Sequence, residues 1–354
     1  MATVSVNLFW KIFVFTAAIA FVGTWVVRAV MRRMGVYDAP SESRKIHREP
    51  VAYEGGVAIY VAFVAGLLFY QALEGTSLFF RDDIKAMILG ATLTVALGVA
   101  DDLLDLRPVI KLLGQIGIGY VMYRAGFQVE RISNPFGQEI QFWPWVSMIG
   151  TILWYAILMN GINMIDGLDG LAAGIVAITC ITLGAISVDL GQPLAAVLAL
   201  IGAAACFGFL PFNFNPATIF MGDAGSLLLG FLLASITLLS SSKAPALLTL
   251  LIPVLAVALP LFETLFAFVR RILRGQNPFA GDRSHLHHRF LDLGFSVRRT
   301  VLIFYYFTAY LGVTAYVLQR LDSRSTILVA ILIAIGLLLL ANSMGYLRDK
   351  SAAR

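Results

Sequence analysis

Residues 220–240 read Phe220-Met-Gly-Asp223-Ala-Gly-Ser226-Leu-Leu-Leu-Gly230-Phe-Leu-Leu-Ala-Ser235-Ile-Thr-Leu-Leu-Ser240. A single carboxylate opens the stretch, and the apolar run Ser226–Ser240 that follows carries no charge. Such a run satisfies its backbone groups internally as a helix and belongs in a bilayer. The rest of the chain has the same character. Of its 354 residues 59% are apolar and 13% are charged, about half the charged share of an ordinary soluble domain. A soluble fold of this size could not cover so much apolar surface with its own polar groups. Both cysteines, Cys180 and Cys206, lie inside apolar runs, which argues against a disulfide framework or a zinc site.

Counted at roughly 20 residues per crossing, hydropathy gives about eleven runs. They lie near Leu8–Val30, Gly55–Gln71, Lys85–Ala100, Val109–Tyr123, Trp145–Met159, Leu168–Val188, Leu194–Leu210, Ser226–Ser240, Leu247–Arg271, Thr300–Leu318 and Ile327–Tyr346. The first lacks a small-residue cleavage site and reads as a retained helix. With the N-terminus outside, 18 of the 26 Lys and Arg residues fall in inside segments and 8 outside, which selects that orientation. The expected fold is therefore an all-α polytopic membrane protein, a single integral membrane domain over residues 1–354. Its C-terminus is cytoplasmic, and its cytoplasmic loops lie near 31–54, 101–108, 160–167, 211–225 and 272–299. That topology puts all four histidines, together with Asp101, Asp102, Asp105, Asp166, Asp169 and Asp223, on one face.

Five strings on that face could carry chemistry. Asp101-Asp102-Leu-Leu-Asp105 ends the third run; adjacent carboxylates near lipid need a shared cation or proton, although a solvated helix end paired with Arg107 also fits. Asn160-Gly-Ile-Asn163-Met-Ile-Asp166-Gly-Leu-Asp169-Gly-Leu171 puts two amides and Asp166 on one helical stripe ahead of a glycine-rich turn. Asp223 stands where a helix N-cap or a metal-bound phosphate would. Just upstream, Phe212 and Phe214 flank Asn213, offering a stacking surface and a base-edge hydrogen bond. Asp282-Arg283-Ser-His285-Leu-His287-His288-Arg289 makes an anion site of imidazoles and guanidiniums, with a transition-metal run or a solvated loop as alternatives. Arg44-Lys45-Ile-His47-Arg48, followed by Gly55-Gly56, is either a lipid-headgroup anchor or a phosphate site.

In this order, over residues 44–289, the five strings resemble the polyprenyl-phosphate N-acetylhexosamine-1-phosphate transferase family. The histidine string and Asp105 resemble the N-acetylglucosamine branch more than the MurNAc-pentapeptide translocase branch. The resemblance implies a UDP-GlcNAc donor, a polyprenyl (undecaprenyl) phosphate acceptor, release of UMP, and Mg2+ with Mn2+ as a substitute. It also implies an inner (plasma) membrane enzyme that starts cell-envelope polysaccharide synthesis from a cytoplasmic cleft. Asp223 would ligate the metal with Asp102. Asp101, Asp102, Asp166 and Asp169 would be the catalytic acids, Asp101 at the acceptor phosphate. Asn163, Phe212, Asn213, Asp282, Arg283, His285, His287, His288 and Arg289 would hold nucleotide and sugar. Lys45, His47 and Asn160 would hold the lipid phosphate. A homodimer is left open, and no nucleic-acid partner is expected. Two other readings stand beside this one. A sibling enzyme would use another UDP-N-acetylhexosamine. An ion-coupled transporter would need charges at helix centres and an inverted repeat; apart from Glu263, the sequence has neither.

Overall fold

The computed structural model describes residues 6–38, 51–74, 82–129, 131–132, 140–241, 290–291 and 293–321, with a few helical positions between 325 and 336. Among these residues the long helices are α1 (Val6–Met34), α2 (Gly55–Glu74), α3 (Asp82–Leu104), α4 (Pro108–Arg124), α5 (Pro144–Ile165), α6 (Leu171–Asp189), α7 (Pro193–Asn213), α8 (Gly222–Ser241) and α9 (Val297–Leu318). Two short antiparallel ribbons complete the description: β1 (Tyr37–Asp38) with β2 (Val51–Ala52), and β3 (Arg131–Ile132) with β4 (Ile140–Gln141). Eight of the helices are long and apolar enough to cross a membrane. The exception is α4, with 17 residues.

These nine helices match nine of the eleven expected runs. The run Leu247–Arg271, with its Glu263, and most of the run Ile327–Tyr346 lie outside the described residues. The helix starts follow local chemistry. Pro108, Pro144 and Pro193 occupy the first turns of α4, α5 and α7, where a missing N–H costs nothing. The Ser296 hydroxyl accepts the Arg299 N–H and caps α9. One boundary differs from expectation. The sixth run was to begin at Leu168, but α6 starts only at Leu171, because Gly170 takes a left-handed φ of +81° at its N-cap.

Helix α8 is the axis of the bundle. Of its apolar stretch 89% is buried, against 22% for α1, so α8 faces protein and α1 faces lipid. It packs most extensively on α3 and α5, and also on α2, α7 and α6. Polar pairs tie it to two of these neighbours. Trp154 Nε1 donates to Thr237 Oγ1 at 3.0 Å and Tyr155 pairs with Ser235 at 2.9 Å, both from α5. Ser187 of α6 pairs with Ser240 at 2.9 Å. Inside a membrane such bonds contribute about 0.6 kcal/mol each, and they also fix register.

The first turn of α8 is where the packing is tightest. A Cβ on Gly98 of α3 would lie 2.3 Å from the Ala224 Cα, and one on Gly56 of α2 would lie 2.1 Å from the Gly225 nitrogen. Only glycine lets three backbones meet there. Successive helices alternate in direction, so one end of the bundle collects the C-terminal ends of α1, α3, α5 and α7 and the N-terminal ends of α2, α4, α6 and α8. The N-terminal half of α9 joins them, since Arg298 Nε donates to the Asn215 carbonyl at 2.8 Å. The opposite end carries the exposed Trp10, Trp143 and Trp145, as an interfacial aromatic belt does.

Gly98→Val is expected to destabilise the purified protein by about 1–3 kcal/mol, the range for overpacking against backbone that cannot yield. Gly117→Val is the control, since nothing lies within 4 Å of its added Cβ. Thermal unfolding in detergent should show a clear drop for the first variant and little change for the second.

Candidate active site

The site is built on the first N–H groups of α8, which have no acceptor within that helix. Asp102, at the end of α3, accepts the Asp223 N–H on Oδ1 at 3.0 Å and the Ala224 N–H on Oδ2 at 3.2 Å. A carboxylate from another helix thus caps α8 and meets the positive end of its dipole. The cap is strapped from the other side. Gly55 and Gly56 donate their N–H groups to the carbonyls of Phe220 (2.9 Å) and Met221 (2.8 Å), and Phe220 N–H donates to the Ala52 carbonyl at 2.8 Å. The Gly55-Gly56 pair therefore serves backbone docking of α2 and β2 onto the approach to α8.

The Lys111 ammonium, on the first turn of α4, sits between two acids. It lies 2.8 Å from Asp101 Oδ2 and pairs directly with Asp223 Oδ2. The other Asp223 oxygen accepts from Asn163 Nδ2 at 2.7 Å, and the same amide reaches Ser226 Oγ at 2.8 Å. Asp101 Oδ1 accepts the Leu106 N–H at 3.1 Å, holding the turn between α3 and α4. One ammonium, two carboxylates and an amide from four helices therefore meet at one point. Lys111 was absent from the residues expected at the site. It was nonetheless visible as the one charged side chain within the run Val109–Tyr123, and a charge in such a run has to be partnered.

The other expected residues divide. Asp166 caps α5 beside this cluster; burial, and then the nearby Asp223, Asp102 and Asp169 charges, push its carboxyl well above the usual carboxylate range. Asp169 Oδ2 accepts from Asn215 Nδ2 at 2.8 Å and from the Ala217 N–H at 3.0 Å, pinning the loop ahead of α8. Asn213 was expected at a nucleotide base, yet it is 2% exposed. Its Oδ1 accepts the Gly170 N–H at 3.1 Å and its Nδ2 donates to the Ile219 carbonyl at 3.0 Å. Both ends of that amide are committed to main chain, so it positions the loop. Phe212 packs on Phe21 with ring centroids 4.8 Å apart, under the Arg28 guanidinium at 5.2 Å. Asn160 exchanges amide bonds with the buried Gln115 of α4 and also donates to the Ala156 carbonyl. Asp105 is exposed and ends α3 in a left-handed conformation, φ +48°. Lys45, His47, Asp282, Arg283, His285, His287, His288 and Arg289 lie outside the described residues.

One group at this end was not anticipated. Glu54 precedes the Gly55-Gly56 strap at φ +70°, is 4% exposed, and has no hydrogen-bond partner for either carboxylate oxygen among the described residues. Burial, then the Asp102 and Asp223 charges, push its carboxyl up to about 7.

The donors here are carboxylates and an amide, the chemistry of a hard divalent cation. Among the described residues no three acid, histidine or cysteine side chains already stand close enough to chelate one. The Asp223 oxygens meet the side chains of Asn163 and Lys111, whereas both Asp102 oxygens face main chain.

Lys111→Met removes the cation between two part-buried acids and should cost about 3 kcal/mol of stability, read as a lowered unfolding temperature, with Lys111→Arg milder. Glu54 holds its proton to about pH 7 in the fold, against 4.5 for an ordinary glutamate. Wild type in chelator should therefore lose stability as pH rises through that window. Glu54→Gln lacks that loss, so it should be the more stable protein at pH 8 and no more stable at pH 4; unfolding temperatures at the two values check this.

Residues 84–241, which include Asp101, Asp102, Lys111, Asn163 and Asp223, match the family model described as Glycosyl transferase family 4. A Bacillus subtilis protein named "Probable undecaprenyl-phosphate N-acetylglucosaminyl 1-phosphate transferase" is 34% identical over 92% of this chain and 89% of its own length. A Mycolicibacterium smegmatis decaprenyl-phosphate N-acetylglucosaminephosphotransferase is 33% identical over 85% of this chain and 79% of its own. The undecaprenyl-phosphate alpha-N-acetylglucosaminyl 1-phosphate transferase of Escherichia coli K12 is 28% identical over 86% and 80%. With similarity running along nearly the whole of both chains, this protein belongs to the polyprenyl-phosphate N-acetylhexosamine-1-phosphate transferase family.

Proposed function

We propose that the chain transfers N-acetylglucosamine 1-phosphate from UDP-GlcNAc to a polyprenyl phosphate within the membrane and releases UMP. The observation that carries the reading is the meeting of Lys111, Asp101, Asp223 and Asn163 at one end of a helical bundle, in a chain whose relatives are named as undecaprenyl- or decaprenyl-phosphate N-acetylglucosamine-phosphate transferases.

The physical problem is charge. A diphosphate donor and a phosphomonoester acceptor repel, so catalysis rests on positioning and neutralisation. The acceptor's prenyl chain stays in the bilayer, so its phosphate reaches only the interface. Asp101 stands there, and Lys111 offers a positive charge to phosphate oxygens. An acceptor phosphate oxygen attacks the donor's β-phosphorus, the bond from that phosphorus to the bridging oxygen breaks, and UMP departs with the electron pair. Asn163 orients Asp223, while Asp102 holds the start of α8 in place. A magnesium ion, or manganese in its stead, would be held by Asp223 with Asp102 nearby and would supply neutralising charge for the donor's diphosphate. In this reading Asp166 and Asp169 shape the nucleotide end, Lys45 and His47 serve the acceptor phosphate, Asn160 supports that side through Gln115 of α4, and the string Asp282–Arg289 serves the donor. The excess of Lys and Arg assigned to this end favours a site on the cytoplasmic face of the plasma membrane.

Purified protein supplied with a polyprenyl phosphate, Mg2+ and a panel of UDP-sugars is expected to release UMP with UDP-GlcNAc above the others. Asp223→Asn should lower that turnover by about 100-fold or more while the protein stays monodisperse. Preference for another sugar would move the chain to a sibling specificity, and a fully active Asp223→Asn would remove the metal assignment.

A further inference from the structure

Helix α9 packs along α6, and its N-terminal half reaches the turn that carries Asp166 and Asp169. The contact is shaped around one side chain. A Cβ on Gly174 of α6 would lie 2.0 Å from both the Cζ and the hydroxyl oxygen of Tyr305, so a glycine is required for the ring to lie against α6. Through that notch the Tyr305 hydroxyl donates to the Gly170 carbonyl at 2.5 Å, between residues 135 apart in the chain. The same carbonyl already accepts the Gly174 N–H at 3.1 Å, as an N-cap carbonyl does. The tyrosine bond is therefore not needed to satisfy the start of α6. It adds a fixed position for the Gly170 peptide.

That peptide closes the turn. Gly170 follows Asp169 directly, stands in the left-handed region at φ +81°, and donates its N–H to Asn213 Oδ1 at 3.1 Å. Asn213 thus holds one side of the peptide and Tyr305 the other. Seven residues before Tyr305, two helical turns along the same face of α9, Arg298 Nε donates to the Asn215 carbonyl at 2.8 Å. The Asn215 side chain in turn donates to Asp169 Oδ2 at 2.8 Å, beside the Ala217 N–H at 3.0 Å. One face of α9 therefore grips both segments that meet at Asp169. Tyr305 holds the turn between α5 and α6, and Arg298 holds the loop between α7 and α8.

We propose that Tyr305, with Arg298, is a positioning residue for donor binding, setting the Asp166–Asp169 turn against the loop ahead of α8 through main-chain carbonyls. This rests on the nucleotide role given to Asp166 and Asp169. A shift of that turn moves both acids relative to the donor. Asp101 and Lys111 keep their places, because they are held between α3, α4 and α8. Losing the brace therefore falls on the donor and spares the acceptor.

The test is steady-state kinetics on the full-length protein in detergent, with KM for UDP-GlcNAc and KM for the polyprenyl phosphate measured separately. Tyr305→Phe keeps the ring in the Gly174 notch and removes only the hydroxyl. It is expected to raise the donor KM about two- to tenfold, the range for one lost hydrogen bond, with the acceptor KM and the unfolding temperature near wild type. A wild-type donor KM overturns the proposal. So does an equal rise in both KM values, which is the mark of general loosening. Arg298→Gln, at an exposed position, should raise the donor KM as well. An unchanged value there overturns the Arg298 half, and the whole proposal where Tyr305→Phe does not remain monodisperse. Asp169→Asn separates the proposal from the reading beneath it. If it raises the donor KM and Tyr305→Phe does not, only the brace falls. If it leaves the donor KM unchanged, the nucleotide role of the turn falls, and the proposal with it.

Discussion

The arrangement at the start of α8 depends on one constraint: the first N–H groups of a buried helix need an acceptor, and every charge brought to them needs a counter-charge. Asp102 supplies the acceptor from α3. The Lys111 ammonium, from α4, then holds Asp101 and Asp223 together, and Asn163 from α5 completes the coordination of Asp223. Four helices are locked at one point by bonds each of which would be expensive to break where water is scarce. The glycine contacts of Gly56 and Gly98 serve the same point, because they bring α2 and α3 close enough to α8 for those bonds to form.

That constraint also explains how a rigid bundle can present reactive groups. Away from this end the helices meet mainly through apolar packing and neutral pairs such as Tyr155 with Ser235 and Ser187 with Ser240, with Arg320 and Asp189 pairing at the far ends of α9 and α6. Titratable groups concentrate where α8 begins, and the loop ahead of it is pinned by Asp169 and Asn213. A phosphate-transfer site needs charges held in position before the substrates arrive. Here the holding is done by groups that could otherwise be mistaken for substrate contacts.

Some of this was legible in the residues themselves. The nine described helices fall on nine of the apolar runs, and the acids read as one face do gather at one end. The roles were less legible. Asn160 and Asn163 share a stripe on α5, yet one answers Gln115 on α4 and the other Asp223 on α8. Phe212-Asn213 looks like a base-binding pair but is spent on Phe21, Arg28 and main chain. Lys111 and Glu54 were not among the residues expected at the site, and their surroundings appear only once the helices are packed.

What the sequence determined by itself was the class of object and the end at which its chemistry lies. Apolar runs and the placement of charge along the chain are local properties, dictated by the cost of putting polar groups in lipid. What only the tertiary structure decided was which acid meets which partner. Asp102 caps a helix 120 residues away, Lys111 meets Asp223, and Glu54 is left beside them without a described partner. Those pairings depend on which helices are neighbours and how closely they pack, and neither is encoded in spacing along one helix.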